Sequence, residues 1–432
     1  MLQQLCCNRL AVVSAAVLAP THHHYVQPPR AAGSTRLPRL AIVITHPIQY
    51  YAPVFRALAA SGKLAVRVFF TWSQAADGPL HDAGFGTAVA WDVPLLDGYE
   101  YQFVPNVARR PGLDHFFGLN TPTLKSEVAD WGADAVLVYT WNSLSHVQAL
   151  RQLKGRRPVF FRGDSTLLDP RSWWRTALRR FALTWVYSHV DVALAVGTHN
   201  RAYFAWCGLP PGRIVLAPHS VDTVRFASDA ARHEERAKEW RRRLEIPAEQ
   251  LVILFAGKLQ SKKHPHLLLE AFAKLPYDAH LVFVGNGELE DGLKKRARGI
   301  DRVHFLPFQN QTAMPAVYRL GDVFVLPSQG PEETWGLALN EAMACGRPVI
   351  ASTRVGGACD LIRAGDTGWT FASGDGDALR RVLSGALELG REGLRAMGRA
   401  AQAHGEQFST QESARRIAGA VLAYTAPDSS AP

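Results

Sequence analysis

Cysteine is scarce in this sequence, with five residues in a chain of 432. Cys6 and Cys7 are adjacent, and no cysteines have the spacing of a metal-binding motif. An odd count of cysteines argues against a disulfide framework and favours a reducing compartment. We therefore interpret Cys207, Cys345 and Cys359 as small buried apolar residues.

Long apolar runs are also missing. A membrane-spanning helix needs about 18 uninterrupted apolar residues, and no stretch of the sequence is that long. The apolar run at residues 10–18 is too short. Residues 1–38 contain no Asp or Glu, but they contain Arg9, Arg30 and Arg36. This pattern is typical of a disordered leader and also resembles a targeting peptide. We expect a cytoplasmic protein, with organelle targeting through residues 1–38 left open.

Acidic residues are fewer than basic ones, which gives a formal net charge of +10 at pH 7. Such a charge suits an acidic small-molecule substrate, an anionic membrane surface or nucleic acid. No zinc finger, RNP pattern or basic recognition helix accompanies the charge, so a nucleic-acid partner is not expected. The hydrophobic content of 47% and charged content of 20% are typical of a globular protein.

A chain of 432 residues is too long for one ordinary core, so two domains are expected. Short apolar runs alternate with helical stretches, which predicts βαβ units and an α/β fold with parallel sheets. Helices are predicted at residues 52–60, 232–243 and 410–424. Strands are predicted at residues 40–45, 64–70, 135–139, 158–161, 192–196, 214–217, 251–255, 280–284, 303–306, 323–326, 348–351 and 368–371.

Two carboxylates, Glu333 and Glu341, follow the strand predicted at residues 323–326. Seven residues separate them, so on one α-helix both would face the same side. A strand, a Gly/Pro loop and a helix start form the usual scaffold for an anion at a helix N-terminus. A carboxylate at each end of such a helix would bind the hydroxyls of a sugar and of a ribose, with phosphates between them. The segment therefore predicts a nucleotide-sugar site.

The same segment, residues 327–350, resembles the Glu-x7-Glu signature of retaining glycosyltransferases of family 4. Residues 255–272 are similar to the Gly-Arg-Leu-x-x-x-Lys-Gly block of that family, and residues 281–289 to its next strand and Gly loop. Residues 303–308 resemble its base-binding turn. The four blocks occur in the family's order within residues 251–372, whereas the first half of the chain resembles the family less.

The resemblance implies the GT-B fold, in which two Rossmann-like domains face each other across a cleft. It implies an N-terminal acceptor domain at residues 39–225 and a nucleotide-sugar domain at residues 226–408. Residues 409–432 would form a helix that returns to the first domain, followed by a tail. Residues 72–120, rich in Gly, Pro and Trp, are expected to form an irregular insertion near the acceptor cleft.

The resemblance also assigns roles around the donor. Glu333 is expected on the hydroxyls of the donor sugar, and Glu341 on those of the ribose. Lys258, which stands where the family usually has Arg, and Lys263 are expected to bind the diphosphate, and Gly257, just before Lys258, is expected among the residues that bind the nucleotide. Lys262 is expected to be solvated. His264 replaces a usual Gly, and the sequence alone does not explain this difference.

Backbone groups complete the expected donor site. The N–H groups of Trp335, Gly336 and Leu337, taken as the start of the helix, would face the phosphates. The Trp335 side chain is expected to pack rather than react. Backbone groups at Phe308 and Gln309 would bind the base, so the donor is a UDP-, GDP- or ADP-sugar.

The first domain supplies weaker candidates. His46 lies in the loop after the first strand, where family members often carry glycines. Arg162 and Asp164 stand near the position of a usual histidine. We predict that these three face the donor phosphate and the acceptor, with a loop-capping role for His46 as the alternative. No metal or other cofactor is expected, because Asp377, in an Asp-Gly-Asp sequence, is interpreted as a helix N-cap.

Residues 171–189 are basic and aromatic. Arg171, Arg175 and Arg179 recur on one helical face, among four large aromatic side chains. This helix would lie on an anionic membrane, which suits a lipid-linked acceptor, or would pack on its own domain. We prefer the second interpretation, because helices of soluble proteins commonly show such apolar stripes.

The sequence thus predicts a retaining, metal-independent glycosyltransferase that moves a hexose from a nucleotide diphosphate sugar to an acceptor hydroxyl. Saccharide and lipid-linked acceptors, and polysaccharide, lipopolysaccharide or glycolipid synthesis, are all open. The alternatives are a nucleotide-sugar epimerase of the same fold and a non-catalytic sugar-nucleotide-binding protein.

Overall fold

The computed structural model describes residues 36–73, 80–82, 87–169 and 172–425. Nearly all of the leader predicted at residues 1–38 lies outside these residues, as do Arg171 and parts of the insertion predicted at 72–120. The described residues form two parallel sheets, flanked by helices, and a short antiparallel hairpin. The predicted α/β architecture of two Rossmann-like domains is confirmed.

The first domain is built on a parallel sheet of seven strands in the order β5-β2-β1-β6-β7-β8-β9. Its strands read as continuous apolar runs, and all five residues of Ala135–Tyr139 are buried, as expected for a sheet covered on both faces. The strands, with the hairpin β3–β4, are β1 Arg39–Ile44, β2 Ala65–Phe70, β3 Leu80–Asp82, β4 Thr87–Val89, β5 Glu100–Phe103, β6 Ala135–Tyr139, β7 Val159–Arg162, β8 Val192–Ala195 and β9 Ile214–Leu216.

The second domain is built on a parallel sheet of six strands in the order β12-β11-β10-β13-β14-β15. The order reverses between β10 and β13, as it does between β1 and β6 in the first sheet. In open α/β sheets ligands bind at such a point, beyond the carboxyl ends of the strands. The strands are β10 Val252–Ala256, β11 His280–Val284, β12 Val303–Leu306, β13 Val323–Leu326, β14 Val349–Ser352 and β15 Gly368–Phe371.

Helices cover both faces of the two sheets and form four apolar clusters with them. The helices of the first half are α1 Ala52–Ala60, α2 Leu124–Asp130, α3 Leu144–Leu153, α4 Trp173–Ser188 and α5 Thr198–Trp206. The later helices are α6 Thr223–Ala227, α7 Ala230–Arg243, α8 Pro265–Ala273, α9 Glu290–Arg296, α10 Met314–Leu320, α11 Leu337–Ala344, α12 Ala358–Leu361, α13 Gly376–Glu388, α14 Gly390–Gly405 and α15 Thr410–Thr425.

The last helix, α15, joins the core of the first domain. Ala414, Ile417 and Val421 are buried in the same apolar cluster as β1 and α1. The chain crosses back just before this helix, where Val221 and Ser409 form a parallel bridge. Among the described helices none has the length and apolar composition required to cross a bilayer.

Three local predictions were wrong. β5 was missed inside residues 72–120, because this edge strand, Glu-Tyr-Gln-Phe, alternates polar and apolar residues instead of forming an apolar run. Cys359 is exposed, whereas Cys207 and Cys345 are buried as predicted. The N-cap of α13 is Asp375, whose side chain accepts from the Ala378 N–H, and Asp377 lies in the first turn.

The aromatic face of α4 also differs from the preferred prediction. Leu183, Val186 and Tyr187 hold the helix on its domain. Trp173 and Phe181, by contrast, are 82% and 79% exposed. The apolar side chains of this helix therefore occupy two faces, and the part of the chain that the structure describes covers only one of them.

Candidate functional site

A cavity of about 340 Å³ lies between the two domains, beyond the carboxyl end of β10. The first domain contributes Tyr50, from the loop after β1, and Trp91. The second domain contributes several of the predicted donor residues, namely Gly257, Lys258, Lys263, Phe308, Gln309 and Glu341. The cavity therefore lies where the reversal of strand order predicts a ligand site.

Glu341 is the buried carboxylate of this interdomain cavity. It lies in the middle of α11 and is 2% exposed. The Tyr318 hydroxyl donates to Oε2 over 2.5 Å, whereas Oε1 is buried and accepts from no residue that the structure describes. Burial raises the pKa of Glu341, against the opposing effects of Tyr318, Arg225 and Tyr50. The cavity is thus lined by a buried carboxylate, one oxygen of which has no donor among the described residues.

Tyr50 connects this carboxylate to the first domain. Burial, followed by the charge of Glu341 and a hydrogen bond to it, raises the pKa of Tyr50 well above its ordinary value. Gln311 also bonds Tyr50. The Arg225 guanidinium holds Gln311 by donating to its backbone carbonyl at 2.7 Å and to its side-chain oxygen at 2.8 Å. The position of Glu341 is therefore fixed by groups from both domains.

Glu333 is not on the same helix as Glu341, which corrects the prediction. The helix begins only at Leu337, and Gly336 precedes it with φ +92°. A Cβ at Gly336 would lie 2.5 Å from Cγ1 of Val355, so both the conformation and the space require glycine. Trp335 and Gly336 therefore belong to the preceding loop, not to the first turn.

Glu333 reaches the cavity through Lys263. Its Oε2 forms an ion pair with Lys263 Nζ at 2.5 Å and accepts from the Ser328 hydroxyl at 2.9 Å. Glu333 is 9% exposed, and Lys263 itself lines the cavity. The carboxylate therefore holds the ammonium group of Lys263 at the edge of the ligand space.

Lys262, which was expected to be a solvated neighbour, is partly buried and also lines the cavity. Three lysines, at positions 258, 262 and 263, thus surround one side of the space. His264, which follows them, has φ +52° and ψ +46°. This left-handed conformation favours glycine and explains why the family usually has glycine there.

The wall near Phe308 is formed by close backbone packing. Gly285 follows β11 with φ +134°, and a Cβ there would lie 2.1 Å from the carbonyl oxygen of Gly257. Asn286, the next residue, accepts from the Phe308 N–H at 2.6 Å. The turn at Phe308 is therefore held by the Asn286 side chain, whose Oδ1 accepts from the Phe308 main-chain N–H.

The three first-domain candidates do not form one cluster. Arg162 is buried, and its guanidinium donates to the carbonyls of Ala217 and Pro218 at 2.5 and 3.0 Å. This corrects the prediction that it faces the donor phosphate, because its Nη atoms instead hold the turn before His219. His219 is buried and lies close to both Asp164 and Trp335.

His46 lines a second, smaller cavity of about 230 Å³ in the first domain, together with His115, Asn142 and Ser143. Its Nδ1 lies 2.9 Å from the Thr45 hydroxyl. Burial lowers the pKa of His46 to about 4, so its ring is neutral at pH 7. A neutral imidazole does not supply a fixed cation for a phosphate, but it can exchange a hydrogen bond with a hydroxyl group.

Asp164 lies at the contact between the domains. It accepts from the Thr334 hydroxyl at 2.7 Å, and His219 Nε2 is 3.9 Å away. Burial opposes ionisation, but the nearby His219 and the hydrogen bond from Thr334 outweigh it and lower the pKa of Asp164 to about 2. A second contact between the domains joins the Thr198 hydroxyl to Asp360 at 2.6 Å.

Trp335 packs inside this contact. It is buried, its Nε1 donates to Asn340 at 2.8 Å, and its ring lies 5.8 Å from that of His219. Among the residues that the structure describes, no three His, Cys, Asp or Glu side chains are grouped as metal ligands would be.

The sequence did not single out Tyr50, Tyr318 or Ser328. Tyr50 follows the first strand, so its position at a carboxyl end is a signal that could have been used. Tyr318 lies on α10 and Ser328 lies just after β13. Their partners are 23 and 5 residues away in the chain, and the contacts depend on the tertiary fold.

Comparison with known proteins gives a family match for the second half. Residues 236–404 match the family model described as "Glycosyl transferases group 1". The D-inositol 3-phosphate glycosyltransferase of Salinispora tropica is 36% identical over 218 residues, which are 46% of this chain and 44% of the relative. The chain thus spans less than half the length of this curated relative.

Solved structures are similar over nearly the whole chain. Anabaena Alr3699/HepE in complex with UDP has a TM-score of 0.67 and 20% identity, and covers 90% of this chain and 100% of its own. The same protein with UDP-glucose has a TM-score of 0.64 and 18% identity, and covers 89% and 99%. These likenesses show that the fold is GT-B.

The burial of Glu341 predicts a pH-dependent stability. The pKa of Glu341 is raised in the folded protein, so its protonated form stabilises the fold. This contribution to the free energy of unfolding is fully present below the unfolded-state pKa. It is lost as the pH rises through the folded-state pKa. Glu341→Gln removes the buried charge. Without nucleotide, the melting temperature of this variant relative to the original protein should therefore rise as the pH increases above about 4.3, the ordinary pKa of Glu.

The measurement is differential scanning fluorimetry across this pH range. Glu249→Gln is the control, since Glu249 is exposed, and its difference from the original protein should not change with pH. A difference for Glu341→Gln that is constant with pH would show that Glu341 does not titrate as a buried group.

Proposed function

We propose that this protein is a retaining glycosyltransferase that moves a sugar from a nucleotide diphosphate sugar to an acceptor hydroxyl. The observation that carries the proposal is the interdomain cavity, where three lysines lie beside a buried carboxylate with an unsatisfied oxygen. The match of residues 236–404 to glycosyl transferases group 1 supports the same activity. Because the curated relatives are matched over less than half their length, the activity of the whole chain is an inference.

The nucleotide would lie along the second domain. Oε1 of Glu341 has no donor among the described residues, so a ribose hydroxyl can satisfy it. Lys258 and Lys263 would bind the diphosphate, and the turn at Phe308 and Gln309 would bind the base. We favour a UDP-sugar, because a protein of similar fold was solved with UDP and with UDP-glucose.

The donor sugar would lie near Glu333. This carboxylate is paired with Lys263, so a sugar hydroxyl that donates to Glu333 would lie directly beside the diphosphate. Glu333 would therefore orient the sugar, and Lys263 would stabilise the phosphate charge that develops when the glycosidic bond breaks. Fixed cations of this kind allow transfer without a metal ion.

In the proposed reaction, the bond between the anomeric carbon and the β-phosphate oxygen breaks. The acceptor oxygen forms the new bond on the same face of the sugar, so the anomeric configuration is retained. The acceptor proton passes to the departing phosphate oxygen. The neighbouring lysines hold the negative charge of the diphosphate during this exchange.

The acceptor would enter from the first domain. The cavity at His46 is adjacent to the loop after β1, which also carries Tyr50 of the interdomain cavity. A neutral His46, with Asn142 and Ser143, offers hydrogen bonds for the hydroxyl groups of a saccharide. We propose that this smaller cavity binds part of the acceptor.

Helix α4 supports a membrane-bound acceptor. Its exposed face carries Trp173, Leu178 and Phe181, and the helix contains no acidic residue. Arg175 lies 5.0 Å from the ring centre of Trp174, which places positive charge beside the exposed aromatic rings. Apolar side chains with flanking arginines suit the interface of an anionic bilayer. We propose that α4 binds such a surface and brings the cleft to a lipid-linked acceptor.

Acceptor-dependent turnover tests the transferase proposal. We expect release of UDP from UDP-glucose to be at least about tenfold faster when a suitable acceptor from a panel of saccharides, inositol phosphates and glycolipids is added. The product should retain the anomeric configuration in an NMR spectrum. Conversion of the donor to an epimer without acceptor would instead support an epimerase, and binding without any turnover would support a sugar-nucleotide-binding protein.

Two substitutions separate the sugar contact from the phosphate contact. Glu333→Gln should weaken UDP-glucose binding about tenfold or more, because a charged hydrogen bond contributes roughly 1.5–3 kcal/mol. Binding of UDP should be unchanged or tighter, because Lys263 loses its competing carboxylate. Lys263→Ala should weaken both ligands. Isothermal titration calorimetry measures all four affinities.

Lys274→Ala is the matched control, since this lysine is exposed and does not line the cavity. Its affinities for both ligands should equal those of the original protein. If Glu333→Gln weakened UDP and UDP-glucose by the same factor, Glu333 would have no specific contact with the sugar.

The membrane proposal predicts binding to anionic vesicles through α4. Trp173→Ala/Phe181→Ala removes two large exposed apolar groups and should weaken binding to vesicles of phosphatidylglycerol about tenfold or more. Phe117→Ala/Leu389→Ala, which removes exposed apolar groups elsewhere, should bind as the original protein does. Vesicle sedimentation measures the binding of both variants. An equal loss of vesicle binding in the two variants would contradict a specific role for α4.

A further inference from the structure

A third cavity, of about 610 Å³, lies in the second domain. It is formed by α7 and α14, with the segments that follow α10 and α11. None of its lining residues belongs to the interdomain cavity. We call it the arginine cavity, because most of its charged side chains are arginines.

The charge of the arginine cavity is strongly unbalanced. Among the described residues, eight basic side chains and two acidic side chains line it. Six of the cations lie on the two helices, and Arg391, Arg395 and Arg399 recur at every fourth residue of α14. Like charges at this spacing repel each other, so the helix carries them at a cost to its own stability.

The two carboxylates neutralise only part of this charge. Glu234 lies 2.6 Å from Arg347 and 3.7 Å from Arg319. Asp322 lies 2.9 Å from Arg241 and 3.5 Å from Arg391. Each carboxylate is therefore shared by two guanidinium groups, which leaves an excess of positive charge in the cavity.

Some of the donors have no partner. The Nε atom of Arg347 is buried and makes no hydrogen bond to any residue that the structure describes, whereas Nε of Arg391 lies 3.5 Å from Oδ1 of Asp322. Arg395 and Arg399 are exposed at the rim, and no ion pair or hydrogen bond joins them to the described part of the chain. Buried donors without an acceptor are unfavourable, so this arrangement favours an anionic ligand.

We propose that the arginine cavity is a binding site for a small anion that carries two or more phosphate groups. Guanidinium groups bind phosphate oxygens through paired hydrogen bonds, and several of them around one concave space suit a multivalent anion. The volume of about 610 Å³ is in the range of small-molecule sites. The shared chemistry is a set of two or more phosphate groups, which either a soluble molecule or a lipid headgroup can supply.

The site is separate from the proposed donor site. Ala338 and Glu341, in the first half of α11, line the interdomain cavity, whereas Cys345, Gly346 and Arg347 follow the end of this helix and line the arginine cavity. The eight residues of α11 span about 12 Å. The first turn and the middle of α11 therefore line the interdomain cavity, and the segment after the end of α11 lines the arginine cavity.

Inorganic pyrophosphate is the probe, and isothermal titration calorimetry of the full chain is the measurement. Lys258→Ala/Lys263→Ala is used as the background, so that binding in the interdomain cavity is suppressed. In this background we expect Arg395→Ala/Arg399→Ala to weaken pyrophosphate binding at least about tenfold. Both arginines are exposed and have no partner among the described residues, so their removal should not unfold the protein.

The matched control is Lys295→Ala/Arg298→Ala, which removes the same charge from exposed positions that line none of the three cavities. Pyrophosphate affinity in this control should be unchanged. Equal weakening in both variants would show only a general effect of net charge and would overturn the proposal. Absence of pyrophosphate binding in the lysine background would also overturn it.

Vesicles separate the two sources of phosphate. If the protein sediments with vesicles containing phosphatidylinositol bisphosphate and Arg395→Ala/Arg399→Ala abolishes this binding, the site would be assigned to a lipid headgroup. Binding of pyrophosphate without any effect of these substitutions on vesicle binding would assign it to a soluble anion. Neither result depends on sugar transfer, so the proposal fails or stands independently of the transferase activity.

Discussion

The carboxylate of Glu341 is the constraint on which the arrangement of the cleft depends. A charge in a nearly dry site is costly, and tertiary hydrogen bonds must offset that cost. Tyr318 donates from the neighbouring helix, Tyr50 reaches across from the first domain, and Arg225 holds Gln311 beside them. One carboxylate oxygen still has no donor among the described residues. The protein therefore sustains an unfavourable group at the place where a polar ligand would relieve it.

Glu333 is stabilised in a different way. Its charge is compensated by Lys263 and Ser328, so it does not depend on a ligand for a partner. A sugar that binds there must compete with the lysine or share the carboxylate with it. This difference gives the two acidic residues separate physical roles, although they lie only eight positions apart in the sequence. Glu341 thus provides an acceptor with no donor among the described residues, and Glu333 provides a compensated ion pair.

Much of the fold could be predicted from the sequence because buried parallel strands have continuous apolar runs, as in β6 and β11. The edge strand β5 could not, because half of its side chains are polar. In the site, short-range motifs placed Lys258, Lys263 and Glu341 in one cavity. The role of Arg162 could not be read in the same way, because its partners are carbonyls 55 and 56 residues away. The start of α11 was also misjudged, since spacing alone does not reveal the left-handed turn at Gly336.

The net charge of +10 has a spatial organisation that composition does not show. Lysines line one side of the interdomain cavity, and arginines line the cavity formed in part by the segment after α11. The Cys345 N–H donates to the Glu341 carbonyl at 3.1 Å, so the last turn of this helix connects the two regions directly. If an anion in the arginine cavity shifts this turn, it alters the position of Glu341. Thermodynamic linkage then requires a nucleotide at Glu341 to alter anion affinity by the same factor. A rigid α11 would instead keep the two equilibria independent, so the coupling between the cavities measures how far this one helix moves.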